Sequence, residues 1–237
     1  YWLREKPNFG SYNIENLLDV GNADNEPSIL SKFTFRINNQ LISYLSPVVF
    51  KKNNPVKGDD YKPFVIGNPI YINPKNKLEL FVNTNKKKID LEIISGVNNM
   101  SARIYPDVDE NIKVEPEYVD VNLKNKNDKV DISFEVNLLN GVKRDNNISF
   151  FSDIDGIKYS RGIELVNYDH ISPQTRFPSS EIKIIDFNLN IKSNKIGYIM
   201  GSGDKIPEAL STVGYEVDLL EKDDISIQRS EEHTLNS

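Results

Sequence analysis

The stretch Val130-Asp131-Ile132-Ser133-Phe134-Glu135-Val136 decides the fold class. Every second side chain is apolar and those between are polar, the pattern of a strand with one face on a core and one in water. The same period of two recurs on both sides. Leu78, Leu80 and Val82 alternate, as do Ile89, Leu91 and Ile93, then Ile112 and Val114, then Val119 and Val121. Downstream, Ile148 with Phe150 and Ile157 with Tyr159 read as a hairpin turned at Asp153-Ile154-Asp155-Gly156, and Ile163 with Leu165 closes the set. About seven short strands over roughly 100 residues, with turn signals between them, point to an immunoglobulin-like antiparallel β-sandwich.

Further out, Phe33, Phe35 and Ile37 alternate with Thr34 and Arg36, turn at Asn38-Asn39 and return through Leu41-Ile42-Ser43-Tyr44, which reads as a hairpin. Pro47-Val48-Val49-Phe50 is a further strand, stopped by Asn53-Asn54-Pro55. After a turn at Lys57-Gly58-Asp59-Asp60, strands are expected at Phe64-Val65-Ile66 and Ile70-Tyr71-Ile72. Residues 1–66 therefore read as a partial β-rich module and 67–170 as the sandwich. Should the first module be half of a sandwich, it would leave apolar strands uncovered and prone to association.

Residues 171–194 read as a linker, rich in Ser and Pro, followed by a strand at Ile182, Ile184 and Phe187. The grammar then changes. Ile196-Gly197-Tyr198-Ile199-Met200 is a continuous apolar run, expected to be buried on both faces. Gly201-Ser202-Gly203-Asp204 is a tight loop with Asp204 placed to cap a helix; Pro207 falls in its first turn, Ile206, Leu210 and Val213 follow helical spacing, and Gly214 suits the position after its end. Tyr215 to Leu220 is a second strand. This is one βαβ unit, so 195–228 is expected to be the truncated start of an α/β domain. Residues 229–237 resemble a translated sequencing adapter and are expected to carry no biology, His233 included. The fold class expected overall is mainly β: sandwich modules followed by a truncated α/β unit.

Composition narrows the function classes. The 237 residues carry 29 Lys and Arg against 35 Asp and Glu, a formal charge of −6, which argues against nucleic acid as a partner. With 38% hydrophobic and 27% charged residues the chain is globular. No apolar run approaches the roughly 18 residues of a membrane helix. The absence of cysteine removes disulfides, thiol catalysis and cysteine-ligated zinc. The 29 Asn and three Ala disfavour a mainly helical fold.

No constellation of residues makes a catalytic, cofactor-binding or metal site. Gly201-Ser202-Gly203 lacks the third glycine of a dinucleotide fingerprint, since Ile206 stands there; Asp218 and Glu221 lie where a ribose-binding acid would follow. Asp107, Asp109 and Glu110, and separately Asp153 and Asp155 before Gly156, are acidic clusters that complete no calcium loop. His170, after Tyr168-Asp169, is expected to be a hydrogen-bonded residue at a domain junction. With 11 Tyr and 11 Phe, and a single Trp at Trp2, exposed rings could make a sugar platform, although most sit at inward periodic positions.

Three segments together carry a family resemblance. Pro47-Val48-Val49-Phe50 through Asn54-Pro55-Val56-Lys57-Gly58 to Tyr61-Lys62-Pro63-Phe64 is the first. Val166-Asn167-Tyr168-Asp169-His170-Ile171-Ser172-Pro173-Gln174-Thr175 is the second, and Lys195-Ile196-Gly197-Tyr198-Ile199-Met200-Gly201-Ser202-Gly203-Asp204-Lys205-Ile206-Pro207-Glu208-Ala209-Leu210 the third. In this order they resemble the region C-terminal to the catalytic domain in long bacterial PIG-L/LmbE-like deacetylases, and Tyr1 to Gly10 fits the same region. The resemblance implies a parent hydrolase with an upstream zinc-dependent N-acetylglucosaminyl deacetylase domain, β-sandwich modules and a glutamine-amidotransferase-like domain. It implies export to the periplasm or beyond, and a glycan or amino-sugar partner. The family's A-H-P-D-D zinc motif is not in this sequence, so no catalytic residue transfers. Two other readings stand beside it: a stand-alone carbohydrate-binding or adhesive sandwich protein, and a nucleotide-binding enzyme beginning at residue 195.

Overall fold

Asn38 and Asn39 both take positive φ, 47° and 65°, in the computed structural model of the chain. Two left-handed residues in succession make the turn whose twist matches paired strands. β1 (Leu30–Ile37) and β2 (Gln40–Pro47) accordingly pair antiparallel with Ile37 opposite Gln40. Replacing Asn39 by glycine removes the Cβ penalty at φ 65°. It should stabilise the hairpin by about 0.5 kcal/mol, seen as slower amide exchange in β1 and β2.

The structure describes residues 8–22, 25–56, 58–139, 145–168, 171, 173–191 and 194–221. The chain divides into two units, Tyr1–Gly67 with Leu165–Arg176, and Asn68–Glu164 with Phe177–Ser237.

In the first unit a second hairpin joins β3 (Val49–Asn54) to β4 (Gly58–Pro63). The strand expected across Pro47 to Phe50 is thus divided, because Pro47 ends β2 and Val49 opens β3. Phe64-Val65-Ile66 forms no strand. Pro63 and Pro69 flank it and supply no N–H to a ladder.

The sandwich occupies the second unit. Its strands begin with β5 (Ile70–Pro74), β6 (Leu78–Val82), β7 (Lys86–Ser95), β8 (Met100–Asp107) and β9 (Ile112–Glu115). There follow β10 (Val119–Leu123), β11 (Lys129–Leu138), β12 (Asp145–Ile154) and β13 (Ile157–Tyr159). The hairpin expected between β12 and β13 forms, turned by Asp155 and Gly156 at φ 53° and 79°. The short β14 (Glu164–Val166) and β15 (Gln174–Arg176) pair with each other. β16 (Ile182–Phe187) returns to the sandwich. One sheet has the order β5-β7-β11-β9 and the other β10-β8-β12-β16-β6, with β13 on β12.

Taken in chain order, β5, β7, β8, β9, β11, β12 and β16 reproduce the constant-type immunoglobulin arrangement, with β10 added at one edge and β6 at the other. β6 lies parallel to β16. Ile163 and Leu165 therefore do not close the sandwich; β16 does. The seam expected at residue 170 falls short of it. Ile182 and Ile184 are fully buried and continue the core, whereas β14 places no residue there. Phe134 of β11 and Phe150 of β12, both fully buried, meet across the two sheets at 5.2 Å between ring centroids. Leu91, Ile93, Phe81 and Ile104 complete the centre of this core.

β17 (Lys195–Ile199), α1 (Ile206–Thr212) and β18 (Glu216–Leu220) form the expected βαβ unit, with β17 and β18 parallel. The expected two-sided burial is not found. Ile199 is 52% exposed and Leu219 57%, because two strands and one short helix supply a single covering layer. Among the described residues no helix is long and apolar enough to cross a membrane.

Candidate functional site

Strands β10, β8, β12 and β13 present one wet face. Ile104 and Phe150 point into the core, so their neighbours Arg103, Tyr105 and Phe151 point out. Cross-strand register then sets the contacts. Tyr105 lies opposite Phe151, and the rings stack at 5.4 Å and 20°. Tyr118, 41% exposed just before β10, tilts against Tyr105 at 5.9 Å and 47°. Arg103 lies opposite Asp120; its Nε donates to Oδ1 at 2.8 Å and its guanidinium carbon sits 4.7 Å from the Tyr118 centroid. Lys158 Nζ covers Phe151 at 4.3 Å. The result is a strip of three rings bounded by two cations and two carboxylates, Asp120 and Asp153, beside an open groove of about 420 Å³.

Electrostatically the strip is nearly balanced. The Asp120 carboxylate, and then Tyr105, hold Arg103 more firmly protonated than usual. Its exposed pair contributes little to stability. The ring faces suit apolar C–H groups, and the guanidinium, the carboxylates and the Asn122 amide suit hydroxyls.

Asp153 Oδ1 accepts the Gly156 N–H at 3.0 Å and closes the β12–β13 turn, while Asp155 is a left-handed turn residue. Asp109 uses its backbone carbonyl to accept the Ile112 N–H at 3.0 Å. Among the described residues no three His, Cys, Asp or Glu side chains group closely enough to hold a metal ion. The expected cap at Asp204 is corrected: Lys205 takes the cap position without a side-chain bond. The Asp204 carboxylate instead folds back on its own loop, accepting Tyr198 O–H at 2.9 Å and Gly201 N–H at 3.1 Å. Loss of water, and then Asp204, push the Tyr198 phenol up. A carboxylate already sits on the amide that a phosphate would use, which opposes nucleotide binding at this loop. Asp218 pairs with Lys195 at 3.0 Å. His170, His233 and Trp2 lie outside the described residues.

Periodicity alone did not find the aromatic strip. Its signal is a local break in alternation: Ile104-Tyr105 and Phe150-Phe151 put bulky side chains on both faces of a strand.

No protein-family model matches this chain, and no curated protein matches it. A solved structure of the apo form of a Calx CBD1 domain is similar at 9% identity and a TM-score of 0.30, over 51% of this chain and 99% of that one. The fold assignment rests on the strand order above.

Proposed function

We propose that this chain is a non-catalytic accessory β-sandwich region of an exported PIG-L/LmbE-like deacetylase, periplasmic or secreted, that contacts the enzyme's N-acetylated amino-sugar glycan. The observation that carries the glycan contact is the Tyr105–Phe151–Tyr118 strip with the Arg103–Asp120 pair at its edge. Pyranose rings offer one apolar C–H face and a rim of hydroxyls, and the strip offers the complement of both. The sugar takes the place of Lys158 over Phe151, since that side chain sits on a flexible stem.

The deacetylase context is supported by the three resembling segments, which fall on β3–β4, on β14–β15 and on β17 with α1. The zinc that the resemblance implies belongs to sequence upstream of Tyr1. The described residues offer no group of ligands for it.

Two measurements test this reading. Titration with an N-acetylglucosamine tetrasaccharide should give a dissociation constant on the order of 1 mM. Phe151→Ala and Tyr118→Ala should each weaken it about fivefold to tenfold, while Lys113→Ala on β9 leaves it unchanged. Absence of binding at about 10 mM overturns the glycan contact. A long sequencing read across the source locus tests the context separately. An in-frame A-H-P-D-D motif upstream of Tyr1 is expected; a start codon just before Tyr1 overturns it in favour of a stand-alone sandwich protein.

A further inference from the structure

Among the described residues of the first unit, none is buried. The unit nonetheless has ordered strand pairing and a sorted face. Opposed pairs put Phe33 with Tyr44 and Phe35 with Ile42 on one side of β1–β2, with Ile37 beside them. All five are roughly half exposed or more: Phe33 49%, Phe35 56%, Ile37 56%, Ile42 51% and Tyr44 63%. The opposite side mixes Leu41 and Leu45 with Lys32, Thr34, Arg36 and Ser43.

We infer that this face docks on the same face of a second copy of this chain, making a two-fold pair of hairpins. Three observations select a second copy. The face is aromatic and aliphatic at its centre, with Gln40 and the Ser31–Ser46 pair at its ends and no charged residue, so it can meet its own copy as an isologous contact requires. Residues 8–67 carry six Lys and Arg and six Asp and Glu, so two copies of this region meet without net repulsion, although the whole chain is at −6. Large aromatic side chains bury about 150–250 Å² each, so three half-exposed rings together with two half-exposed isoleucines offer about 400–500 Å² per copy. A pair then buries about 1,000 Å², the lower bound for a specific interface. The contact is therefore weak and reversible.

Sedimentation velocity on the whole chain from about 5 to 200 μM should show a concentration-dependent monomer–dimer equilibrium. Phe35→Lys should shift it to monomer, and Thr34→Lys, on the other side of the same strand, should not. Because a lysine at 35 also threatens the hairpin itself, a second measurement uses the absence of cysteine. Ile42→Cys should give a disulfide-linked dimer under mild oxidation about tenfold faster than Ser43→Cys, whose side chain lies on the opposite side. A monomer throughout the range, association unchanged by Phe35→Lys, equal cross-linking at 42 and 43, or open-ended polymer in place of a dimer each overturns the inference. A dimer with preferential cross-linking at 42 supports it.

Discussion

Replacing Phe134 by alanine should cost the sandwich about 3–5 kcal/mol. Phe134 is fully buried, and its ring meets Phe150 from the facing sheet. Truncation removes the transfer free energy of a benzyl group and leaves a cavity. Little can collapse into it, because Ile89, opposite it on β7, and Leu91 and Ile104 of the same core belong to paired strands of both sheets. A loss of this size is a large part of a domain's ordinary stability of about 5–15 kcal/mol. Urea denaturation followed by far-ultraviolet circular dichroism measures it. A midpoint within error of the parent would show that the sheets do not meet at this ring. Phe35→Ala, half exposed on β1, should change the same sandwich transition by no more than about 0.5 kcal/mol.

The second large effect is expected at Gly96→Ala. Gly96 donates its N–H to the Pro69 carbonyl at 2.8 Å, holding the start of β5 against the end of β7. A Cβ there would collide with the Asn68 carbonyl oxygen and crowd the carbonyl carbons of Asn68 and Pro69 at 3.1 and 3.2 Å. These are backbone atoms, so relief means moving a strand and not turning a rotamer. The cost should be about 2–3 kcal/mol. Gly156 is the useful contrast. Its φ of 79° strains an alanine, but nothing lies within 4 Å of the added carbon. Gly156→Ala should therefore cost about 1 kcal/mol, from backbone conformation alone. Thermal unfolding of the two variants side by side distinguishes the mechanisms; equal shifts would remove the steric account of Gly96.

Strand register fixes the Tyr105–Phe151 spacing and sets Arg103 opposite Asp120, while Tyr118, just before β10, is held against Tyr105 and Arg103. A rigid strip spends little conformational freedom when a sugar lands on it. On the proposed glycan contact, core variants that loosen the sheet should weaken sugar binding before they unfold the domain.

Much of the fold was legible from residues alone, for a local reason. Val130, Ile132, Phe134 and Val136 alternate with polar residues, and a period of two needs no partner to be read. Asn38-Asn39 and Asp155-Gly156 carry their turn conformations in their own side chains, or in the lack of one. Gly214 and Pro207 mark the end and start of α1 in the same way.

What remained hidden depends on partners distant in sequence. Ile163 with Leu165, and Ile182 with Ile184, look alike along the chain. Only pairing with β12 and β6 makes the second the closing strand, while β14 finds β15. Tyr105 and Phe151 belong to apolar doublets, whose inward member is chosen by the core and not by the doublet. Asp204 has the composition of a cap, yet the Tyr198 hydroxyl and the Gly201 amide draw it elsewhere. The sequence by itself determined most of the sandwich strands, the turns at Asn38-Asn39 and Asp155-Gly156 and the change to a βαβ unit, because these follow from neighbours within a few residues; the turn expected at Gly58-Asp59-Asp60 became the start of β4. Which strands share a sheet, and so which aromatic rings meet on the wet face, was decided by tertiary structure, because both are set by contacts between residues tens of positions apart.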